Sequence, residues 1–240
     1  MSLLAVEKLK VCHGLLQAVR EVTFEIAPGE LVALVGANGA GKSTLLRAVA
    51  GAHLPASGRI IFDSADVTAL RAYERVKRGV ALVPEGRRLF GGMSVEENLL
   101  VAERSGRRGS WTLHSVMELF PMLRARRHSL ARNLSGGERQ AVAIARALMT
   151  NPKLILLDEV SLGLAPVVIE GLYRELPQLR RGGTTLVLVE QELSRALSVA
   201  NRVMCMLEGR IVLDAPVGEV SREAIVDAYF GLGRKEAVPA

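Results

Sequence analysis

The chain has 240 residues, of which 49% are hydrophobic and 23% charged, with two cysteines. That length allows one large domain or two small ones. The composition excludes a generally disordered chain and a disulfide-stapled scaffold. A net charge of +6 is compatible with nucleic acid, an anionic membrane face or phosphate ligands, but an aromatic content of 4% argues against a base-stacking platform.

No segment approaches the ~18–20 consecutive apolar residues of a membrane helix. The start, Met1 to Lys8, lacks the basic stretch and small-residue cleavage site of a signal peptide. The expectation is a cytoplasmic chain that does not itself span a bilayer.

In chain order, Val22–Ile26 alternates as a strand, Pro28-Gly29-Glu30 turns, and Leu31–Val35 is a continuous apolar strand. Ser43–Ala50 reads as a helix, and Arg59–Phe62 and Val80–Val83 as strands. From about Ser94 to Thr150 no strand is expected. The apolar spacing there is helical, as in Val116, Leu119, Phe120 and Leu123, with a polar break at Gly106–Ser110. Strands return at Leu154–Leu157, Thr185–Val189, Val203–Leu207 and Arg210–Leu213. Helices are expected between them at Val167–Leu179, ended by Pro177, and at Leu193–Ala200. Strands separated by helices predict an α/β fold, a mostly parallel sheet covered on both faces with a helical insertion in its middle.

Three motifs carry chemistry. Gly36-Ala37-Asn38-Gly39-Ala40-Gly41-Lys42-Ser43, followed by Thr44, fits the phosphate-loop pattern. Glycines let successive amides point at phosphate oxygens, Lys42 adds charge toward the terminal phosphates, and Ser43 offers a hydroxyl to magnesium. The helix that follows turns its N-terminal dipole to the same anion. The plainer alternative is a Gly-rich strand-to-helix turn. The second motif is Leu154 to Leu157 ending in Asp158-Glu159. Ligands of open α/β sheets lie beyond the carboxyl ends of the strands. Asp158 is therefore expected at the magnesium beside Ser43, and Glu159 where a carboxylate can polarise the water attacking the γ-phosphate.

The third motif is Leu134-Ser135-Gly136-Gly137-Glu138-Arg139-Gln140. Ser135 and Glu138 form a capping box that opens a helix with apolar Val142, Ala145 and Leu148. The two glycines are not needed for the cap. They are expected to bare the helix tip as a second anion site.

In this order the three motifs resemble the ATP-binding subunits of ABC transporters, over nearly the whole chain. The resemblance implies a P-loop ATPase core with an antiparallel β subdomain on the N-terminal side. It implies one domain over 1–240, with a helical subdomain at about 91–150. It also implies ATP and Mg2+ as ligands and head-to-tail pairing with a second such subunit or a second copy. Ser135, Gly136 and Gly137 would then touch the partner subunit's γ-phosphate. Integral-membrane permeases would be the direct partners, a periplasmic substrate-binding protein an indirect one, and nucleic acid none. The location implied is the inner face of the cell membrane, peripherally.

Departures narrow the branch. The family's magnesium- and permease-contacting Gln is replaced by Glu85, in Pro84-Glu85-Gly86-Arg87-Arg88-Leu89-Phe90. Its γ-phosphate-sensing His is replaced by Gln191, which keeps a donor but cannot become cationic. Ala165 stands for an Asp and Val160 for a Pro. The stretches Pro84 to Phe90, Val189-Glu190-Gln191 and Ser161-Leu162-Gly163-Leu164-Ala165-Pro166 together resemble an ATPase subunit of branched-chain amino acid uptake systems. Related systems for urea, amides or aromatic acids, or a lipid or polysaccharide exporter, are the alternatives. Such a subunit is expected to hydrolyse ATP through Glu159, slowly when alone. His13, beside Gly14 and ahead of the first strand pair, stands where relatives stack an aromatic on adenine; the alternative is a surface turn histidine. His53, His114 and His128 show no zinc-ligand spacing, and Arg124 to Arg127 reads as a solvated helix end.

Overall fold

The structure, a computed structural model, describes residues 2–232. The tail Arg234–Ala240, whose order the sequence left open, lies outside the described residues.

Two sheets organise the chain. The first is antiparallel, in the order β2 (Leu16–Ile26), β1 (Leu4–His13), β4 (Ser57–Phe62), β5 (Ala65–Asp66). The second has six strands in the order β10 (Arg210–Pro216), β9 (Arg202–Leu207), β3 (Leu31–Val35), β8 (Thr185–Val189), β7 (Leu154–Asp158), β6 (Val80–Val83). All its pairings are parallel except β10 on β9.

The helices are α1 (Lys42–Val49), α2 (Ala72–Arg78), α3 (Val95–Glu103), α4 (Leu113–Leu119), α5 (Pro121–Ala125), α6 (Gly136–Leu148), α7 (Pro166–Arg181), α8 (Leu193–Val199) and α9 (Arg222–Phe230). Between Ser94 and Thr150 the described residues form helices and one isolated bridge, Ser94 to Leu130.

The central strands β3, β7 and β8 are buried at every position because both sheet faces are covered, and all but Asp158 and Thr185 of their residues are apolar. Ile155, Leu157, Leu186 and Leu188 pack with α3, α4, α6 and α7, including Val95, Val116, Ile144 and Leu176. Leu154, Leu156, Val187 and Val189 pack on the opposite face with α1 and the antiparallel sheet, including Leu45, Val49, Leu9 and Ile60. The parallel sheet is thus the wall between two cores, and the carboxyl ends of β3, β7 and β8 meet at one edge.

Several expectations are corrected. The strand expected to begin at Val22 begins at Leu16, and β1 is a strand beyond those expected. Lys8 and Glu21 sit at φ 44° and 53°, and the pairing register of β1 on β2 shifts after Val6 and after Leu9. Those irregularities break the two-residue alternation on which strand reading rests. His13 does not precede the first strand pair: it ends β1, next to the turn into β2, and pairs with Leu16. Pro177 lies inside α7 rather than ending it. Leu176 and Leu179 flank it at 0% and 1% exposure, so core packing carries the helix past it. The helical spacing of Val116 to Leu123 belongs to two helices, broken at Phe120 (ψ 76°) by Pro121, which disfavours helical backbone in the residue before it.

Candidate functional site: a phosphate cradle between two sheet strands

β3 delivers the chain into the loop 36–41, and α1 takes it away. Gly36 and Gly41 have φ of 149° and 104°. A Cβ on either would come within 2.2 Å of Met206 O or 2.3 Å of Ala18 O. The loop is therefore pressed between β9 and β2, and only glycine fits at those two points. Lys42, 4% exposed, curls over the loop and donates from Nζ to Gly36 O at 2.7 Å and Ala37 O at 2.9 Å. Burial lowers its pKa, with Glu159 and Asp158 opposing that shift.

β7 lies two strands away from β3 across β8, yet its end reaches α1. Ser43 Oγ donates to Asp158 Oδ1 at 2.7 Å. Asp158 is fully buried, and its other oxygen, Oδ2, has no hydrogen-bond partner. Burial pushes its carboxyl above the usual range, while the Ser43 hydroxyl opposes that. A buried, unpartnered carboxylate oxygen beside a hydroxyl is what a hard dication satisfies. Among the described residues no group of three His, Cys, Asp or Glu could hold a metal. Magnesium commonly uses one or two carboxylates and completes its shell with phosphates and water. Glu85, in the segment after β6, is exposed and acts on Asp158 only through its charge.

Glu159 follows in a left-handed conformation, φ 48°, a strained geometry for a non-glycine residue. Its amide donates to Val189 O at 3.1 Å. Its Oε2 accepts from Gln191 Nε2 at 2.7 Å. The structure thus joins the ends of β7 and β8 through these two side chains.

The cavity over the cradle is lined by His13, Leu16, Ala18, Asn38, Gly39, Gly41, Lys42, Ser43, Thr44 and Glu159. His13 Nε2 lies 3.1 Å from Thr44 Oγ1, and its ring meets His53 edge-on with centroids 4.8 Å apart. Leu16 and Ala18 are not among the expected site residues, because the alternation that marks their strand in the sequence begins only at Val22.

Ser135, Gly136 and Gly137 are not among the residues lining this cavity. Ser135 caps α6: its Oγ accepts from Glu138 N at 3.2 Å, and Glu138 Oε2 accepts from Ser135 N at 2.7 Å. The cap is as expected, and Gly137 has a packing role besides. A Cβ on Gly137 would lie 2.6 Å from Val168 Cγ1 of α7, so packing within this chain already demands a glycine there.

The segment carrying Glu85 is pinned from behind. Arg146 donates to Arg87 O at 3.1 Å and Arg88 O at 2.9 Å. Arg87 in turn reaches Gln140 Oε1 at 3.1 Å and Leu162 O at 3.3 Å. This strut between α6 and the turn after Glu159 was also missed. Arg87 and Arg88 give no sequence pattern that distinguishes them from surface charge.

Comparison with known proteins agrees with this geometry. The ABC transporter family profile matches residues 19–161. The chain is 42% identical over 232 residues to the high-affinity branched-chain amino acid transport ATP-binding protein BraG of Pseudomonas aeruginosa, covering 95% of this chain and 100% of that one. It is 31% identical to the lipopolysaccharide export system ATP-binding protein LptB of Escherichia coli, over 96% of this chain and 98% of that one. A crystal structure of a nucleotide-free ATP-binding cassette from an ABC transporter superposes with a TM-score of 0.84 at 26% identity, covering 95% and 99% of the two chains. An ATP-binding cassette in its ADP conformation gives 0.83, also at 26%, covering 96% and 99%. The cradle, the Ser43–Asp158 bond and these matches lead to one conclusion: the chain belongs to the ABC transporter family, as an ATP-binding subunit.

Proposed function

We propose that this chain is the ATP-hydrolysing subunit of an uptake system for branched-chain amino acids. The observation that carries the hydrolytic part is the convergence of Lys42, Ser43, Asp158, Glu159 and Gln191 at the ends of three strands. The similarity to BraG over nearly the full length of both chains supports the substrate class.

In this proposal residues 36 to 44 hold the phosphates of ATP, through loop amides, Lys42 and the first turn of α1. Ser43 and Asp158, with Glu85 nearby, hold Mg2+, which neutralises phosphate charge when bound. Glu159 takes the proton of the attacking water. Gln191 orients Glu159 by donating to it. His13 stacks on the adenine, with Leu16 and Ala18 beside it. Ser135, Gly136 and Gly137 reach the γ-phosphate held by a partner subunit, in head-to-tail pairing with a second ATPase subunit or a second copy. The chain acts as one domain over 1–240, with residues 91–150 as its helical subdomain. No helix among the described residues is long and apolar enough to cross a membrane, so attachment to the inner face of the cell membrane runs through permeases, and a periplasmic binding protein delivers the substrate.

A second reading, the ATPase of a lipid or polysaccharide exporter, is favoured by the 31% identity to LptB. Affinity purification from detergent-solubilised membranes of the native host, with mass spectrometry, separates the two. The uptake reading expects two polytopic permeases and a second phosphate-loop subunit. Recovery of a lipid export assembly selects the alternative. Recovery of ribosomes or nucleic acid, or of no membrane protein, overturns both.

A further inference from the structure

Glu190 is 2% exposed, and among the described residues no basic side chain lies within ion-pair distance of it. Its carboxylate is held by two hydroxyls instead. Ser161 Oγ donates to Oε2 at 2.9 Å, and Tyr173 OH donates to Oε1. A buried carboxylate is costly unless its acceptor sites are filled, so its retention here calls for a reason.

The connectivity supplies one. Ser161 lies two residues after Glu159, and Gln191 directly follows Glu190. Gln191 Nε2 donates to Glu159 Oε2 at 2.7 Å. The chain therefore closes a ring with two covalent arms, 159–161 and 190–191, and two hydrogen bonds, Ser161 to Glu190 and Gln191 to Glu159. Tyr173 braces that ring from α7. Arg195, ion-paired with Glu192, reaches Ser161 Oγ at 3.5 Å on its other side.

We propose that Glu190, gripped by Ser161 and Tyr173, is the positioning residue that keeps Gln191 seated on Glu159. This deepens the hydrolytic reading above and rests on it. Neither hydroxyl touches the nucleotide cavity; both act through the ring. Burial and the adjacent Glu190 carboxylate raise the Tyr173 phenol far above its ordinary pKa, so it remains a donor throughout the working pH range. A displacement of a positioning group by about 1 Å can cost on the order of 100-fold in rate, so a partial loosening of the ring is expected to be visible in turnover.

The test uses the full chain as wild type, Tyr173→Phe, Ser161→Ala and Gln191→Ala. Two quantities are read: ATP turnover, and the 15N side-chain amide signal of Gln191, assigned by its loss in Gln191→Ala. The ring predicts that Tyr173→Phe shifts that amide signal and speeds its solvent exchange. It also predicts a kcat lowered about tenfold with KM for ATP unchanged. In the Gln191→Ala background, Tyr173→Phe should have no further effect, whereas a role confined to anchoring α7 would lower turnover in both backgrounds. An unaltered Gln191 signal in Tyr173→Phe overturns the proposal, whatever the turnover. Should Tyr173→Phe fail to fold, Ser161→Ala carries the same comparison. A wild-type chain without ATP turnover overturns the hydrolytic reading instead, and the amide signal still decides the ring.

Discussion

Ser43 and Asp158 are 115 positions apart in the chain and 2.7 Å apart in space, hydroxyl to carboxylate. The bond fastens the first turn of α1 to the end of β7, although β8 runs between β7 and β3 in the sheet. It also leaves one buried carboxylate oxygen without a hydrogen-bond partner.

That oxygen sets a stability signature. Burial raises the Asp158 carboxyl pKa, so the stability tied to its proton is fully present below the unfolded carboxylate value. It is lost as pH rises through the raised folded value. Near neutrality the metal-free protein therefore holds this buried acid at a cost to its stability. Asp158→Asn removes the charge while keeping an acceptor for Ser43. Without magnesium, thermal unfolding at pH 7 should show this variant more stable than wild type by about 1–3 kcal/mol. The gap should shrink as pH falls toward about 4. Adding magnesium and ATP should reverse the order.

Gly137 has a packing duty within the chain. An alanine there would place its methyl 2.6 Å from Val168 Cγ1, against a β-branched side chain with little rotamer freedom. Gly137→Ala is expected to lose about 1–3 kcal/mol in urea unfolding. Adding Val168→Ala should recover much of that loss. If the glycine served only a partner's phosphate, Gly137→Ala would unfold at the wild-type midpoint.

Arg75 is another buried charge with many partners. It is fully buried and donates to Leu70 O, Ala48 O, Val49 O and Thr68 O at 2.8–3.0 Å. Ala48 and Val49 lie at the carboxyl end of α1, where a cation also complements the helix dipole. Burial lowers its pKa to about 10, which keeps it charged at neutral pH. Arg75→Met leaves those carbonyls without their donor and should cost about 3–5 kcal/mol, read by urea unfolding. An unchanged midpoint would mean that water replaces the guanidinium at no cost.

Much of this was legible in the sequence because each signal was local. The glycines of the cradle, the apolar run of β7 ending in two carboxylates, and the Ser135–Glu138 cap each reside within ten residues. β1 and the first half of β2 are not legible because Lys8 in the one and Glu21 in the other interrupt the alternation with positive φ. Pro177 misled because the burial of Leu176 and Leu179 outweighs the local break. The ring through Glu159, Ser161, Glu190 and Gln191, its Tyr173 brace, and the Arg87 strut join segments far apart in sequence. No spacing rule reports such a bond before the fold has brought its ends together. Gly137 was legible as unusual, but Val168, its reason within the chain, lies on another helix.

The most direct test is phosphate release from MgATP by the wild-type chain and Glu159→Gln, beside ATP affinity for both and for Lys42→Ala. Wild type should release phosphate in a magnesium-dependent manner. The rate should be lowered on the order of 10²–10⁴-fold in Glu159→Gln at unchanged ATP affinity, the range of a lost general base. Lys42→Ala should lose the binding itself. Equal release rates for wild type and Glu159→Gln would contradict the assignment of Glu159, and with it the chemistry proposed for this site.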